Sequence, residues 1–177
     1  GDGQLLSIGD GPAESFMHLE IDRLADTADM AALEQAIAAA LADVRASVAD
    51  WRAMRERMLA IAGQMETRHM PATDEARAEA QEFLRWAADD HFTFLGYREY
   101  EVAERDGQRM LCAVGGSGMG LLRGKDEQAQ PRPLTGLAAS DLPPGATLDP
   151  LILTKTNARS TVHRPGYMDY IGVLTFD

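Results

Sequence analysis

The chain has 177 residues, 45% hydrophobic and 25% charged, a composition typical of a globular protein with one domain or two small ones. Its net charge of −11 disfavours binding to nucleic acid or to anionic membranes, and no run approaches the roughly 18 apolar residues of a membrane span. The single cysteine, Cys112, excludes an internal disulfide and suits a reducing cytoplasm.

The N-terminal region predicts a strand after a loose, glycine-rich start. Met17, Leu19 and Ile21 alternate with polar residues, and this period of two is typical of a strand with one solvated face. The chain has neither an initiator methionine nor a signal-peptide pattern. We therefore expect it to be a piece of a longer protein.

A long helix is predicted next, with Asp29 as its N-cap and its end near Met65, where Gly63 and then Pro71 interrupt the pattern. At 1.5 Å per residue such a helix is about 55 Å long, more than a domain of this size can bury against itself. It is either an assembly helix that packs on another helix or chain, or a core helix broken near residues 52–57. Apolar residues recur every seven positions, at Met30, Ile37, Val44, Trp51, Met58 and Met65.

The remainder of the chain predicts an α+β fold with an antiparallel sheet. Thr73 or Asp74 caps a second helix, and Asp106-Gly107 is a strong signal for a β-hairpin turn. Residues 115–150 are rich in Gly and Pro and predict loops, whereas residues 151–177 predict two or three strands. A helix, a hairpin and further strands in this order favour α+β.

The glycine run at residues 115–120 does not have the spacing of a nucleotide-binding loop. A dinucleotide fingerprint needs G-x-G-x-x-G at the start of a helix, and the spacing from Gly116 is G-x-G-x-G. We expect a flexible turn and no cofactor site. The four histidines lack metal-ligand spacing, so no metal site is predicted; we expect His91 at a helix terminus and Cys112 as a buried, inert thiol.

The densest polar cluster lies in residues 155–164, followed by Asp169. Ser160, His163 and Asp169 supply the residue types of a catalytic triad, but no spacing supports one, and no catalytic residue is predicted. The cluster is either a polar network that holds strand ends together or a contact for an anionic effector or another domain. The candidate contact residues are Lys155, Arg159, His163, Arg164 and Asp169.

Three stretches, ESFMHLEIDR, FLRWAADDHFTFLGYREYEV and LTKTNARSTVHRPGYMDYIGV, resemble the N-terminal regulatory region of the large bacterial NAD-specific glutamate dehydrogenases. The resemblance implies that residues 1–70 are the trailing strand and long helix of an incomplete ACT-like module. It also implies that residues 72–177 are a PAS-like α+β module, with an antiparallel sheet and flanking helices. The family's catalytic and nicotinamide-binding motifs have no match here, so the resemblance implies a non-catalytic regulatory or assembly segment.

The same resemblance implies partners and a location. The partners would be the rest of its own chain, further copies in a homo-oligomer, and a small-molecule effector, with no nucleic acid and no membrane. NAD would be bound by the parent enzyme, in the cytoplasm, and no cofactor by this segment. Two alternatives stay open: a free-standing small-molecule sensor module of a signalling protein, and a small hydrolase that uses Ser160 or Ser117.

Overall fold

The structure, a computed structural model, describes residues 16–68, 70–134 and 147–175. The glycine-rich start and part of the predicted loop region lie outside these residues. The chain forms two units, residues 1–35 and residues 36–177. The described part consists of helices and small antiparallel sheets, which confirms the α+β class.

The strand predicted at residues 17–22 is wrong. Residues 16–26 have no regular secondary structure, and the large apolar side chains of residues 16–21 are exposed, Phe16 at 93%. A strand needs a neighbour to bond its backbone N–H and C=O groups, and none of the described strands pairs with this segment. Alternation of apolar and polar residues therefore does not make a strand where the pairing partner is missing.

Helix α1, Thr27–Thr67, begins two residues before the predicted cap. Asp26 rather than Asp29 caps it, because the Asp26 Oδ1 atom accepts the Ala28 N–H at 2.8 Å. Asp29 lies instead in the first turn, where its negative charge interacts favourably with the positive end of the helix dipole.

Helix α1 is unbroken through residues 52–57, and it continues through Gly63 to Thr67. The prediction that Gly63 ends the helix is therefore wrong. A glycine inside a helix costs about 1 kcal/mol relative to alanine. Ala62 and Met65, on either side of Gly63, are buried, and their packing outweighs that cost.

Helix α2, Asp74–Trp86, begins as the sequence predicts. The Thr73 Oγ1 atom accepts the Ala76 N–H at 3.1 Å, which satisfies one free backbone donor of the first turn. A wider turn, Ala87–His91, follows directly and leaves helical backbone geometry at Asp89 and Asp90.

The end of this wider turn carries His91, as predicted for a helix terminus. The His91 Nδ1 atom lies 2.9 Å from the Trp86 carbonyl oxygen, and the two rings stack with their centroids 4.5 Å apart. Phe83 and Phe92 pack on the same indole, at 5.9 and 5.7 Å between centroids. His91 therefore completes an aromatic cluster at the end of α2.

The main core of residues 36–177 lies between the C-terminal half of α1 and α2. Apolar side chains at the ends of the last two strands pack against it, so residues on both sides of Pro71 share one core. The predicted module boundary at residues 70–72 stays a prediction. The fully buried members are Ala62, Met65, Met70, Ala80 and Leu84.

The described strands form three separate antiparallel sheets rather than the single sheet that was predicted. β1 pairs with β4, β2 with β3 and β3 with β5, and β6 with β7. The short β1, β4 and β5 sit among glycine and proline, which limit ladder pairing. The strands are β1 Gly96–Tyr97, β2 Tyr100–Arg105, β3 Gln108–Ala113, β4 Met119–Gly120, β5 Arg132–Pro133, β6 Leu151–Arg159 and β7 Tyr167–Val173.

The predicted β2–β3 hairpin is confirmed. Arg105 pairs with Gln108, and Asp106 and Gly107 form a two-residue turn with φ of 52° and 72°. Two successive positive φ values are typical of the type I′ turn, whose twist matches that of the strands. Cys112 on β3 is buried and free, also as predicted.

Candidate functional site

The glycine run after β3 is held in place by a buried carboxylate. The Asp126 Oδ2 atom accepts the N–H groups of Gly116 at 3.0 Å and Gly118 at 3.1 Å, and its Oδ1 atom accepts the Arg98 Nε–H at 2.7 Å. The Arg98 and Asp126 side chains are only 7% and 6% exposed. Burial raises the pKa of Asp126, but the Gly118 N–H, Arg98 and the Gly116 N–H outweigh it and lower that pKa.

A second carboxylate, from helix α1, binds the last glycine of the run. The Asp50 Oδ2 atom accepts the Gly120 N–H at 2.7 Å and the Arg123 Nε–H at 2.9 Å, and Arg123 also donates to Oδ1. The Gly120 N–H is the main cause of a lowered Asp50 pKa, against the desolvation that raises it, with Arg123 contributing further. Asp50 therefore stays ionised while it joins α1 to the loop.

These hydrogen bonds determine whether the glycine run can bind an anion. A phosphate-binding loop presents free backbone N–H groups to its anion. Here the amides of Gly116, Gly118 and Gly120 already donate to Asp126 or Asp50, so protein carboxylates occupy the places of the anion. The expectation of a flexible turn is wrong, because the run is bonded to α1 through Asp50 and to the loop that carries Asp126.

A third polar group ties α1 to Tyr97 of β1 and to Glu99, two residues later. The Arg57 Nε–H donates to the Tyr97 hydroxyl at 2.9 Å, Arg57 also donates to Glu99, and the Tyr97 hydroxyl donates to Glu99 at 2.8 Å. Burial raises the pKa of the Tyr97 hydroxyl. These half-buried groups satisfy one another, which is typical of a structural network rather than of a reactive centre.

Two of the five predicted contact residues form an ion pair. Lys155 and Asp169 face each other across β6 and β7, with 2.5 Å between Nζ and Oδ1. Arg159 lies over the ring of its cross-strand neighbour Tyr167, with the guanidinium 5.4 Å from the ring centroid. This part of the cluster holds the two strands together.

The other two predicted residues, His163 and Arg164, lie in the exposed β6–β7 loop. His163 has a φ of 66°, and neither side chain makes an ion pair within the described residues. The Ser160 hydroxyl donates to the Val162 carbonyl at 2.5 Å, and Asp169 binds Lys155. Ser160 and Asp169 are thus engaged with partners other than those of a triad.

The four side chains that anchor the glycine run are not among the residues predicted from the sequence. Asp50 had a detectable signal: it follows Ser47 and precedes Met54 at helical spacing, so a carboxylate stands on the buried face of α1. A buried carboxylate requires donors, and glycine amides are the donors that a side chain can approach most closely. The missed residues are Asp50, Arg98, Arg123 and Asp126.

Neither a metal site nor a membrane-spanning helix has a candidate among the described residues. No three histidine, cysteine, aspartate or glutamate side chains there converge in a way that could hold a metal ion. Among the helices that the structure describes, none has the length and apolar character needed to cross a bilayer.

Comparison with known proteins provides the family. The chain is 35% identical over 173 residues to an NAD-specific glutamate dehydrogenase of Pseudomonas aeruginosa, with 93% of this chain and 10% of the relative covered. The homologue from Halomonas elongata is 34% identical over 167 residues, with the same shares covered. The chain is homologous to a segment of the NAD-specific glutamate dehydrogenases.

A third glutamate dehydrogenase, from Mycobacterium tuberculosis, is 35% identical over 133 residues, which cover 70% of this chain and 8% of the relative. The chain thus spans about a tenth of the length of the curated relatives it matches. No protein-family model matches the chain. No solved structure matches it either, so the fold rests on the structure described above.

Proposed function

We propose that the chain is a non-catalytic assembly and regulatory segment of an NAD-dependent glutamate dehydrogenase. The parent reaction would convert glutamate, NAD⁺ and water into 2-oxoglutarate, ammonium, NADH and a proton. The homology to a tenth of several such enzymes supports this parent. In this proposal the parent acts in the cytoplasm, as a homo-oligomer, and residues 72–177 form the PAS-like module after the trailing part of an ACT-like one.

The observation that carries the assembly role is a second apolar stripe on α1. One stripe of the helix, which includes Met54 and Met65, is buried in the core. Another is exposed to solvent, with Val48 at 64% and Trp51 at 40%. A helix in a finished assembly seldom leaves such a stripe in water, because burial of each large apolar side chain stabilises by about 1.5–3 kcal/mol. The exposed members between residues 37 and 51 are Ile37, Leu41, Val44, Val48 and Trp51.

The test places a charge on this stripe in the full-length parent enzyme. Val48→Glu should weaken subunit or domain assembly, measured by analytical ultracentrifugation and by limited proteolysis, while kcat per intact active site stays unchanged. Ala39→Glu is the matched control, because Ala39 is exposed on the same helix but away from the stripe. A fall in kcat with assembly intact would place the segment at the active site and refute the proposal.

The regulatory role is supported by the exposed loop that carries His163 and Arg164. The Arg164 guanidinium lacks an ion pair within the described residues and suits an anionic effector, His163 offers a ring N–H donor beside it, and Arg159 lies at the base of the same loop. The double variant His163→Gln/Arg164→Gln of the parent enzyme should shift the concentration dependence of effector response in steady-state kinetics. An unchanged response to every anionic effector of the parent would contradict this part of the proposal.

A further inference from the structure

The exposed stripe has a regular spacing. Its five members, Ile37, Leu41, Val44, Val48 and Trp51, follow one another at intervals of four, three, four and three residues. This is the spacing of the seam by which one helix packs along another with knobs in holes. At 100° per residue, the stripe lies about a quarter of a turn from the buried face of α1. The stripe can therefore bind a second helix while the buried face stays packed in the core.

The two flanks of the stripe differ. On one side lie Ser47 and Met54, which are buried, and the Ser47 hydroxyl donates to the Leu95 carbonyl at 3.4 Å. On the other side lie Arg45 and Arg52, which are exposed. Neither arginine makes an ion pair within the described residues, and Arg52 stands over the Trp51 ring at 5.2 Å. Beside the stripe, between residues 37 and 52, the charged side chains of the open flank are therefore both basic, and Glu34 and Glu56 lie beyond its two ends.

We propose that the stripe is the docking site for an amphipathic helix with an acidic flank, supplied by a part of the parent polypeptide outside these 177 residues. The proposal rests on the assembly role above. The chain is about a tenth of the length of its relatives, so most of the parent is available to supply this helix. Aspartate or glutamate on its flank would face Arg45 and Arg52, and such flanking charges set partner and orientation in helix pairs.

A second copy of α1 fits the stripe less well. In an antiparallel pair of copies the open flanks meet, and Arg45 and Arg52 of one copy face the same arginines of the other, which is repulsive. In a parallel pair the open flank meets the opposite flank, and that flank is covered by the body of each copy at Ser47 and Met54. Repulsion between these arginines disfavours the first arrangement, and in the second Ser47 and Met54 offer them no opposite charge.

The experiment is site-specific photo-crosslinking in the purified full-length parent enzyme. A benzoylphenylalanine probe at Val48 should crosslink to a segment outside residues 1–177, and mass spectrometry should identify a helical sequence with aspartate or glutamate beside its apolar seam. The same probe at Ala39, exposed on another face of α1, is the control and should give no specific product. The double variant Arg45→Glu/Arg52→Glu should reduce the Val48 product about tenfold, as expected for two lost ion pairs.

The other outcomes of the crosslinking experiment separate the docking proposal from the assembly role. A crosslink from Val48 to residues 37–51 of a second copy would overturn the acidic-helix proposal while leaving the assembly role intact. A Val48 product no stronger than that of Ala39 would overturn this proposal, and with an unaffected Val48→Glu variant it would overturn the assembly role too. Arg105→Glu, an exposed charge reversal on β2, should leave the crosslink unchanged; an equal loss there would show that only net charge matters and would also overturn the proposal.

Discussion

The Asp50 carboxylate and the Gly120 backbone amide are 70 residues apart in the sequence and 2.7 Å apart in the structure. The bond attaches the middle of α1 to the end of the glycine run, and the Arg123 Nε–H donates to the same carboxylate. Trp51 of the exposed stripe is the next residue along α1. A helix that docks on the stripe would therefore lie within one turn of this attachment.

Removal of the Asp50 carboxylate should destabilise the chain strongly. Asp50→Ala leaves the buried Gly120 N–H without its acceptor, and we expect a loss of about 2–3 kcal/mol in the free energy of unfolding. Asp43→Ala is the matched control on the same helix, since it removes only an exposed bond to the Thr161 hydroxyl. Urea denaturation followed by circular dichroism measures both; equal losses in the two variants would show that Asp50 has no special role.

The conformation of Gly120 should not tolerate a side chain. Its φ is +60°, and an added Cβ atom would meet the Leu95 carbonyl oxygen and lie 3.1 Å from the Met54 methyl carbon. Gly120→Ala should cost about 2–4 kcal/mol, from left-handed backbone strain together with a clash against backbone.

The control for this variant is Gly115→Ala, because Gly115 faces open space and its φ lies outside the left-handed region. It should change the free energy of unfolding by less than about 0.5 kcal/mol. Thermal unfolding of the two variants side by side makes the comparison, and a Gly120→Ala protein as stable as Gly115→Ala would contradict the structure.

The lowered pKa values of Asp50 and Asp126 predict a loss of stability in acid. A carboxyl group with a depressed pKa in the folded state stabilises that state above its unfolded pKa of about 3.9, and the contribution disappears as the pH falls through the lower, folded-state pKa. The free energy of unfolding should therefore decline as the pH drops below about 4.

Asp126→Asn tests the origin of this decline. The variant should be less stable at pH 7 and should show a shallower fall between pH 4 and pH 2, measured by denaturant titration at each pH. Glu104→Gln, which removes an exposed carboxylate on β2, controls for the loss of one charge. A slope that Asp126→Asn leaves unchanged would assign the acid sensitivity to other groups.

Arg164→Ala should have little effect on folding. Arg164 is exposed and makes no ion pair within the part of the chain that is described. Its removal should change the melting temperature of the parent enzyme by less than 1 °C, because isolated surface substitutions rarely exceed about 0.5 kcal/mol. A hundredfold fall in kcat with an unchanged melting temperature would instead place the loop at the active site.

Several features could be predicted from the sequence because their causes are local. The Asp106-Gly107 turn, the Thr73 cap of α2 and the position of His91 each depend on residues within about five positions of one another. Turn geometry and capping follow from such short-range sterics and hydrogen bonds, so the residue types alone identify them. The homology to the NAD-specific glutamate dehydrogenases likewise agrees with the resemblance carried by continuous stretches of sequence.

The tertiary structure alone decided the remaining features. Alternation at Met17, Leu19 and Ile21 satisfies the pattern of a strand, but a strand also requires a distant partner, which the local pattern does not contain. The glycine run fits a free turn equally well until Asp50 and Asp126 are brought to its amides from 70 and from 8 residues away. The heptad pattern of α1 likewise does not distinguish the apolar side chains that become buried from those that stay exposed. Only the packing of the rest of the chain buries Met54 and Met65 and leaves Val48 and Trp51 in water, because burial is a property of neighbours and not of a residue's own sequence.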